Sequence, residues 1–369
     1  DLHLGYRRFN KLSKSGHNQR EIDINSAFSE AIDKIIKLKP SIVLVAGDIF
    51  HSVRPSNFIV GFAFSEFKRL ADSIKAPIIL IAGNHESPRR TDTGCILRLF
   101  SEISGIYVSD LNRDWFDFKE LDLTVCAIPH RGLAEVKDNP PRPKDDFKYN
   151  VLMAHGQFVP LKETDYGGVS LPLDSFFPHQ WDYVALGHMH RYEMIHLNSF
   201  YSGSIEHTGN DVWIDSKIKK GFIEFELPTG QTKFHKLETP REVLSLNDVN
   251  AEDFDVSGVM EKITSAINGV KNGLAGKIVR LPVWNISREV LRALPHKELK
   301  SLKSEAFHFA LDFHIKSSSV ISREFNPESK RQSLRDDLKN FCERRDSHPY
   351  SANEIFQTIS TYLNKLEIA

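Results

Sequence analysis

The chain has 369 residues, 40% of them hydrophobic and 26% charged, with 20 Gly and 17 Pro; this excludes a fibrous or largely disordered protein and leaves room for more than one folded domain. Its 48 Lys and Arg nearly cancel its 49 Asp and Glu, so no global field draws it to nucleic acid, and any such affinity must come from local patches. The longest apolar runs, around SIVLVAG and APIILIAG, fall far short of the ~20 residues that a membrane helix needs, so no membrane segment is expected.

Three scattered cysteines, Cys95, Cys126 and Cys342, sit among apolar neighbours and fit a reduced, cytoplasmic setting. The chain opens at Asp1 with neither Met nor an apolar leader, which reads as a start preceded by further residues.

Residues 25–38 put Phe28, Ile32, Ile35 and Ile36 on one stripe, with Asn25 or Ser26 as cap and Pro40 beyond the end. That spacing predicts an amphipathic helix. SIVLVAGD is a short unbroken apolar run of the kind buried on both faces of a sheet, stopped by Gly47. A second helix is expected over about 57–74. APIILIAGNHE, VLMAHGQ and YVALGHMH repeat the pattern of a buried strand ending in a polar cluster. In open α/β sheets ligands gather beyond the carboxyl ends of strands, which places these clusters on one rim.

GFIEFELPTGQTKFHKLE reads as a hairpin turning at Thr229 and Gly230. Near Pro240 the pattern gives way to the acidic stretch LNDVNAEDFD, and the domains are drawn as 1–240, 241–320 and 321–369. Residues 277–315 read as a strand (KIVRLPVW), a helix from about Ser287 to Glu305 and an alternating strand carrying Phe307, Phe309, Leu311 and Phe313, a small βαβ unit. Leu334, Leu338 and Phe341, then Ile355, Ile359, Leu363 and Leu366, are spaced as two amphipathic helices around RRDSHPYSAN. Such a pair buries little alone, so it is expected to pack on the preceding domain or on another protein.

The chemistry lies in clusters at strand ends: DLH at 1–3, GD at 47–48, GNHE at 83–86, HG at 155–156 and GHMH at 187–190. A lone buried His is usually a satisfied structural residue. Together, however, Asp1, His3, Asp48, Asn84, His155, His188 and His190 supply carboxylate, amide oxygen and imidazole, a ligand set for two divalent cations. It suits Mn, Fe or Zn better than Ca or Mg, and the absence of Cys argues against a structural zinc site.

This ordered set resembles the calcineurin-like metallophosphoesterase superfamily, whose pattern runs D-x-H, G-D, G-N-H-D/E, H and G-H-x-H. The resemblance implies an α/β fold, a β-sandwich flanked by helices. It also implies that Asp1, His3 and His190 hold one metal and Asn84, His155 and His188 the other, with Asp48 shared and Mn2+ the expected ion. Such a metal pair activates water and neutralises phosphate oxygens, so ester hydrolysis is the implied reaction. His85 is left as the non-ligand histidine, placed to stabilise charge on the scissile phosphate or to protonate the leaving oxygen.

Where protein phosphatases of the superfamily carry D-R-G after G-D, this chain reads GDIFHSVRPS. That stretch resembles the D-x-F-H-x-x-R-P-S segment of the SbcD-type DNA double-strand-break repair nucleases, and implies that His51 helps to set the phosphodiester. KIVRLPVWNISREVLRAL and LKSEAFHFALDFHI resemble the βαβ capping domain by which those nucleases admit and orient DNA. The C-terminal helical pair resembles the segment that docks on their SMC-like ATPase partner, SbcC. A homodimer formed by helices around residues 57–100 is also implied, with Phe58, Phe62 and Phe64 as apolar candidates. The family has a strand before the D-x-H aspartate, and its residues are expected to precede Asp1, where this sequence opens; GNHE stands where GNHD is frequent, a change expected to have little effect.

Arg7, Arg8, Lys11, Lys14 and Arg54, and Arg89 and Arg90 directly after GNHES, are candidates to meet DNA phosphates. His17, His130, His179, His196, His207, His308, His314 and His348 fit no spacing in the metal pattern and read as structural; the loop of His207 is the one expected to approach the metals. The reading is a metal-dependent DNA exonuclease or endonuclease acting at ends or hairpins with an SMC-like ATPase. The alternatives are a small-molecule or cyclic-nucleotide phosphodiesterase with a closed pocket, and a DNA-end tethering scaffold whose metals are structural.

Overall fold

The computed structural model describes residues 1–87, 94–158, 172–209, 211–316, 356–357 and 359. Residues 1–315 form one compact unit and 316–369 a second. The two amphipathic helices expected at the C-terminus lie almost wholly outside the described residues.

Helix α1 (Gln19–Leu38) begins where the Asn18 side chain accepts from the Arg20 N–H, and ends at Lys39 in the left-handed region. It starts well before the expected cap at Asn25 or Ser26, with Arg20, Glu21 and Asp23 buried in its first turns. Their charges are matched: Arg20 meets Asp23, and Arg7 meets Glu21. Strand β1 (Val43–Val45), helix α2 (Asn57–Ile74, capped by Ser56) and strands β2 (Ile78–Ile81) and β3 (Ile106–Ser109) follow. The three strands pair in parallel in the order β1-β2-β3.

A second sheet takes β4 (Asp114–Phe118), β5 (Leu123–Ile128), β6 (Tyr149–His155), β7 (Tyr183–Gly187), β8 (Glu193–His196) and β9 (Ser199–Tyr201) in the order β4-β5-β6-β7-β9-β8. Its interior pairs are parallel and its two edge pairs antiparallel. The strand period of two sorts the apolar runs between layers. In β2, Ile78 and Leu80 pack towards α1 and α2, whereas Ile79 and Ile81 meet Leu123, Val125, Ala127, Val151 and Met153 of the facing sheet. Cys126, Ile128, Leu152 and Ala154 turn to the outer face of that second sheet, against Phe158, Phe176 and Trp181. Burial on both faces, at ~1.5–3 kcal/mol for each large apolar side chain, is why these strands read as unbroken runs. Cys95 and Cys126 are free and buried, and burial pushes both thiols up to about 12.

The hairpin β10 (Gly221–Glu226) and β11 (Gln231–Lys236) turns where Thr229 and Gly230 predicted. Beyond it, β12 (Val243–Ser245), β13 (Val249–Asn250), α3 (Val256–Asn268), β14 (Ile278–Ile286), α4 (Arg288–Ala293), α5 (His296–Glu305) and β15 (His308–Ile315) complete the first unit. Strand β14 pairs in parallel with β12, β13 and β15. The single helix expected over Ser287–Glu305 is two, separated at Leu294 and Pro295, since proline lacks the N–H that an unbroken helix needs.

This four-stranded sheet has its own core of Val259, Ile263, Val279, Leu281, Val283 and Phe309. It meets the rest of the unit where Phe9 stacks on His308 with ring centroids 3.9 Å apart, and where Arg241 Nε lies 2.6 Å from Asp23 Oδ2. Among the described residues no helix is long and apolar enough to cross a membrane.

Candidate metal centre

Four strand ends and the first three residues converge. Leu2 and His3 donate their N–H groups to the Asp48 carbonyl at 2.8 and 2.9 Å, and Leu4 donates to Ile49 at 2.8 Å, so the Asp1–His3 segment runs beside the residues that follow β1. Asn84 and His85 follow β2, His155 ends β6, and His188 and His190 follow β7. The His188 N–H donates to both carboxylate oxygens of Asp1, at 2.9 and 3.1 Å.

Such close approach needs residues without a Cβ. A Cβ on Gly187 would lie 1.7 Å from the Ala46 carbonyl oxygen, and one on Gly47, whose φ is +89°, would lie 2.2 Å from His155 Nδ1. His3, Asp48 and His188 themselves take positive φ values of 49°, 48° and 103°. Conformations of this kind cost about 1–3 kcal/mol each and persist where the surroundings force them, as at functional sites.

The donor set is metal-like in chemistry as well as in composition. His155 Nδ1 donates to the Ala46 carbonyl at 2.7 Å, which leaves Nε2 as the nitrogen whose lone pair can coordinate. That lone pair faces Asn84 Oδ1 at 3.1 Å and Asp48 Oδ2 at 3.3 Å, which are acceptors too, while His188 Nδ1 reaches the same Asn84 oxygen at 3.0 Å. Acceptors turned on one another repel unless a cation sits among them. On the other side, His3 Nε2 is 2.8 Å from His190 Nε2 and 3.8 Å from Asp48 Oδ2. One donor atom from each of Asp1, His3 and Asp48 lies within 4.8 Å of the others, and so do those of Asp48, His155 and His188. Asp48 belongs to both groups.

Burial, reinforced by neighbouring imidazoles and other cations, holds His3 well below its usual range, His190 at about 3 and His188 at about 4. These rings are therefore neutral near pH 7, the form that coordinates metal. Burial alone would favour a protonated Asp48, but its interactions with the neighbouring imidazoles, His155 first and then His3 and His85, outweigh it and hold the carboxyl well below the usual carboxylate range.

His85 and His51 border this cluster. The His85 N–H donates to Asp48 Oδ1 at 3.0 Å, and its ring Nδ1 donates to the His51 carbonyl at 2.7 Å, which fixes the ring and leaves Nε2 available. His51 stacks on His85 with centroids 5.1 Å apart, and its Nδ1 is 3.4 Å from His3 Nδ1. Burial and the His85 charge hold the His51 pKa below its ordinary value. His51, Asn84, His85, His188 and His190 all keep some exposure.

Two neighbours carry more than their sequence context suggested. Glu86 is not a bystander behind the ligands: it is buried, and its oxygens accept from the N–H groups of Phe50 at 2.5 Å and Gly83 at 2.9 Å, tying the two ligand loops together. Burial and the Asp48 charge push its carboxyl up to about 8. His130 read as structural, yet its ring lies 6.2 Å from that of His155; its place directly after a buried strand was the available signal. The His207 loop does come close, with Thr208 Oγ1 3.5 Å from His190 Nδ1.

The basic candidates are less uniform. Arg7 is largely exposed and pairs with Glu21 at 3.1 Å. Arg8 donates to Tyr6 and to the Gly209 carbonyl, and Lys11 to the Ala306 carbonyl. Lys14 and Arg54 are exposed. Arg89 and Arg90 lie outside the described residues.

The family model for calcineurin-like phosphoesterases matches residues 1–192. A DNA double-strand break repair protein Mre11 from Methanocaldococcus jannaschii is 30% identical over 233 residues, covering 60% of this chain and 59% of that protein. A protein of the same name from Sulfolobus acidocaldarius is 24% identical over 342 residues, 89% of this chain and 84% of that one. The SbcD component of nuclease SbcCD from Staphylococcus epidermidis is 28% identical over 198 residues, 46% and 51% of the two chains. The chain thus spans less than two thirds of the length of the Methanocaldococcus relative.

Proposed function

The chain belongs to the calcineurin-like phosphoesterase family, whose members use divalent metals, and we propose that it is a metal-dependent DNA nuclease cutting phosphodiester bonds at DNA ends or hairpins. The observation that carries the chemistry is Asp48, common to two groups of metal donors, with His85 and His51 beside it. In this reading Asp1, His3 and His190 hold one ion and Asn84, His155 and His188 the other, with Asp48 serving both and Mn2+ as the physiological metal. Two such ions activate water and neutralise the charge of the phosphate oxygens.

The remaining work falls to the protein. His85, with Nδ1 held by the His51 carbonyl, turns Nε2 to the scissile phosphate, where it stabilises developing charge or hands a proton to the leaving oxygen. His51 orients the diester from the adjacent position. DNA as substrate is supported by the names of the relatives, two double-strand break repair proteins and a nuclease component. On the resemblance of these stretches to the SbcD-type nucleases, residues 241–320 are assigned as a DNA-capping domain and 321–369 as the segment that docks on an SMC-like, SbcC-type ATPase. We assign the exposed Arg7 and Arg54 and the partly buried Arg8, with Arg89 and Arg90, to phosphate contacts. A homodimer through α2 would use Phe58, which is exposed, whereas Phe62 and Phe64 pack against the core. The protein would work in the cytoplasm.

The small-diester reading needs a closed pocket beside the donors. An apolar cavity of about 240 Å³, lined by residues such as Phe28, Ile32, Val43 and Phe222, lies behind them between α1, β1 and β10, and offers few groups to hold a phosphate.

The test is incubation of end-labelled linear duplex DNA with the protein and Mn2+, then with EDTA, beside a small chromogenic diester. Metal-dependent loss of full-length DNA is expected. Turnover of the small diester with the DNA intact, in the presence of the ATPase partner as well as in its absence, would reject DNA as the substrate.

A further inference from the structure

Directly behind His190 stands a lysine with 1% exposure, Lys220. Its Nζ donates to the main-chain carbonyl of His190 at 2.9 Å and to Ser204 Oγ at 3.0 Å. Ser204 also donates its N–H to that His190 carbonyl, at 3.3 Å, and its hydroxyl to the Glu206 carbonyl at 2.7 Å. The next residue, Ile205, donates its N–H to the Asp1 carbonyl at 3.3 Å. One short loop therefore contacts both Asp1 and His190.

The loop is itself anchored from behind. Arg20, as buried as Lys220, places Nη2 3.3 Å from Glu206 Oε1 and 3.0 Å from the His207 carbonyl, and Nη1 3.2 Å from Asp23 Oδ2. An ammonium taken out of water is expensive, and a position that merely needed filling would be served by Leu or Met. A positive charge this close to the donors also works against a bound cation by simple repulsion.

We infer that Lys220 is a positioning residue for the metal ligands on the His190 side: by holding the His190 carbonyl it fixes the direction in which that ring presents Nε2 beside His3 and Asp1. This rests on the two-metal reading above. Orientation and charge predict opposite signs. If Lys220 acts by orientation, its loss weakens metal binding; if it acts only as a nearby charge, its loss tightens it.

The test titrates the whole chain with Co2+, by calorimetry and by the visible absorption of the bound ion, for the unsubstituted protein, Lys220→Met and Ser204→Ala, with folding checked by circular dichroism. In Lys220→Met one of the two Co2+ equivalents is expected to weaken roughly tenfold to a hundredfold, the range for lost supporting contacts around metal ligands, with a changed absorption envelope, while the other equivalent keeps its affinity. Ser204→Ala, which leaves the buried charge in place, should weaken the same equivalent to a smaller extent. Two equivalents of unchanged or tighter affinity in Lys220→Met overturn the inference. Should that variant not fold, unchanged binding by Ser204→Ala overturns it instead. Failure of the unsubstituted protein to take up two ions would reject the two-metal reading, and the inference with it.

Discussion

Asp48→Asn is expected to lower phosphodiester hydrolysis by at least about a thousandfold, because metal-assisted charge stabilisation is worth several kcal/mol and each ~1.4 kcal/mol is a factor of ten in rate. Asparagine is the informative replacement. It tolerates the positive φ of this position, 48°, better than alanine does, and its side-chain oxygen can still accept from the His85 N–H as Asp48 Oδ1 does at 3.0 Å. What it removes is the negative charge and the second strong oxygen donor. The number of divalent ions bound per chain should therefore fall below two, as counted by metal analysis after gel filtration, while circular dichroism stays native. Unchanged hydrolysis in a folded Asp48→Asn protein would mean that the donor groups sharing Asp48 are not the catalytic centre. Loss of folding without any hydrolysis in the parent protein would favour a scaffold with structural metals.

His85→Ala separates chemistry from metal binding. The His85 ring is held by the His51 carbonyl at 2.7 Å and its main-chain N–H by Asp48, and only the latter contact survives the substitution. Loss of a positioned acid or charge stabiliser costs about a hundredfold to ten-thousandfold in kcat. Metal stoichiometry should stay at the parent value: His85 clusters with His3 and His51 as a third group of donor atoms, but it belongs to neither of the two groups that share Asp48. KM should change little, since the contact strengthens chiefly in the transition state. A variant that loses metal and activity together would make His85 a ligand rather than an acid.

The strand-end motifs from Gly47 onward were legible because each follows a short apolar run, and burial on both faces produces such runs in β2 and β6. Local patterns of this kind report which strands are central, and hence which loops share a rim. Where the sequence misled, the cause was long-range pairing. Arg20, Glu21 and Asp23 look like a solvated lead-in, but Arg20 is matched by Asp23 and by Glu206, far along the chain. Glu86 gains its place by reaching Phe50, and Lys220 by reaching His190; neither relation has a spacing to recognise. The break between α4 and α5 was written in Pro295 and passed over because the flanking residues keep helical character. Positive φ at His3, Asp48 and His188 leaves no trace in their own residue types, although glycines, Gly47 and Gly187, directly precede two of them.

The most direct test of the central claim is an anomalous-difference map from crystals of the chain grown with Mn2+, recorded at the manganese edge. The account predicts two peaks with the Asp48 carboxylate between them, one also touching Asp1, His3 and His190 and the other Asn84, His155 and His188. A single peak, or two peaks that do not share Asp48, would contradict it.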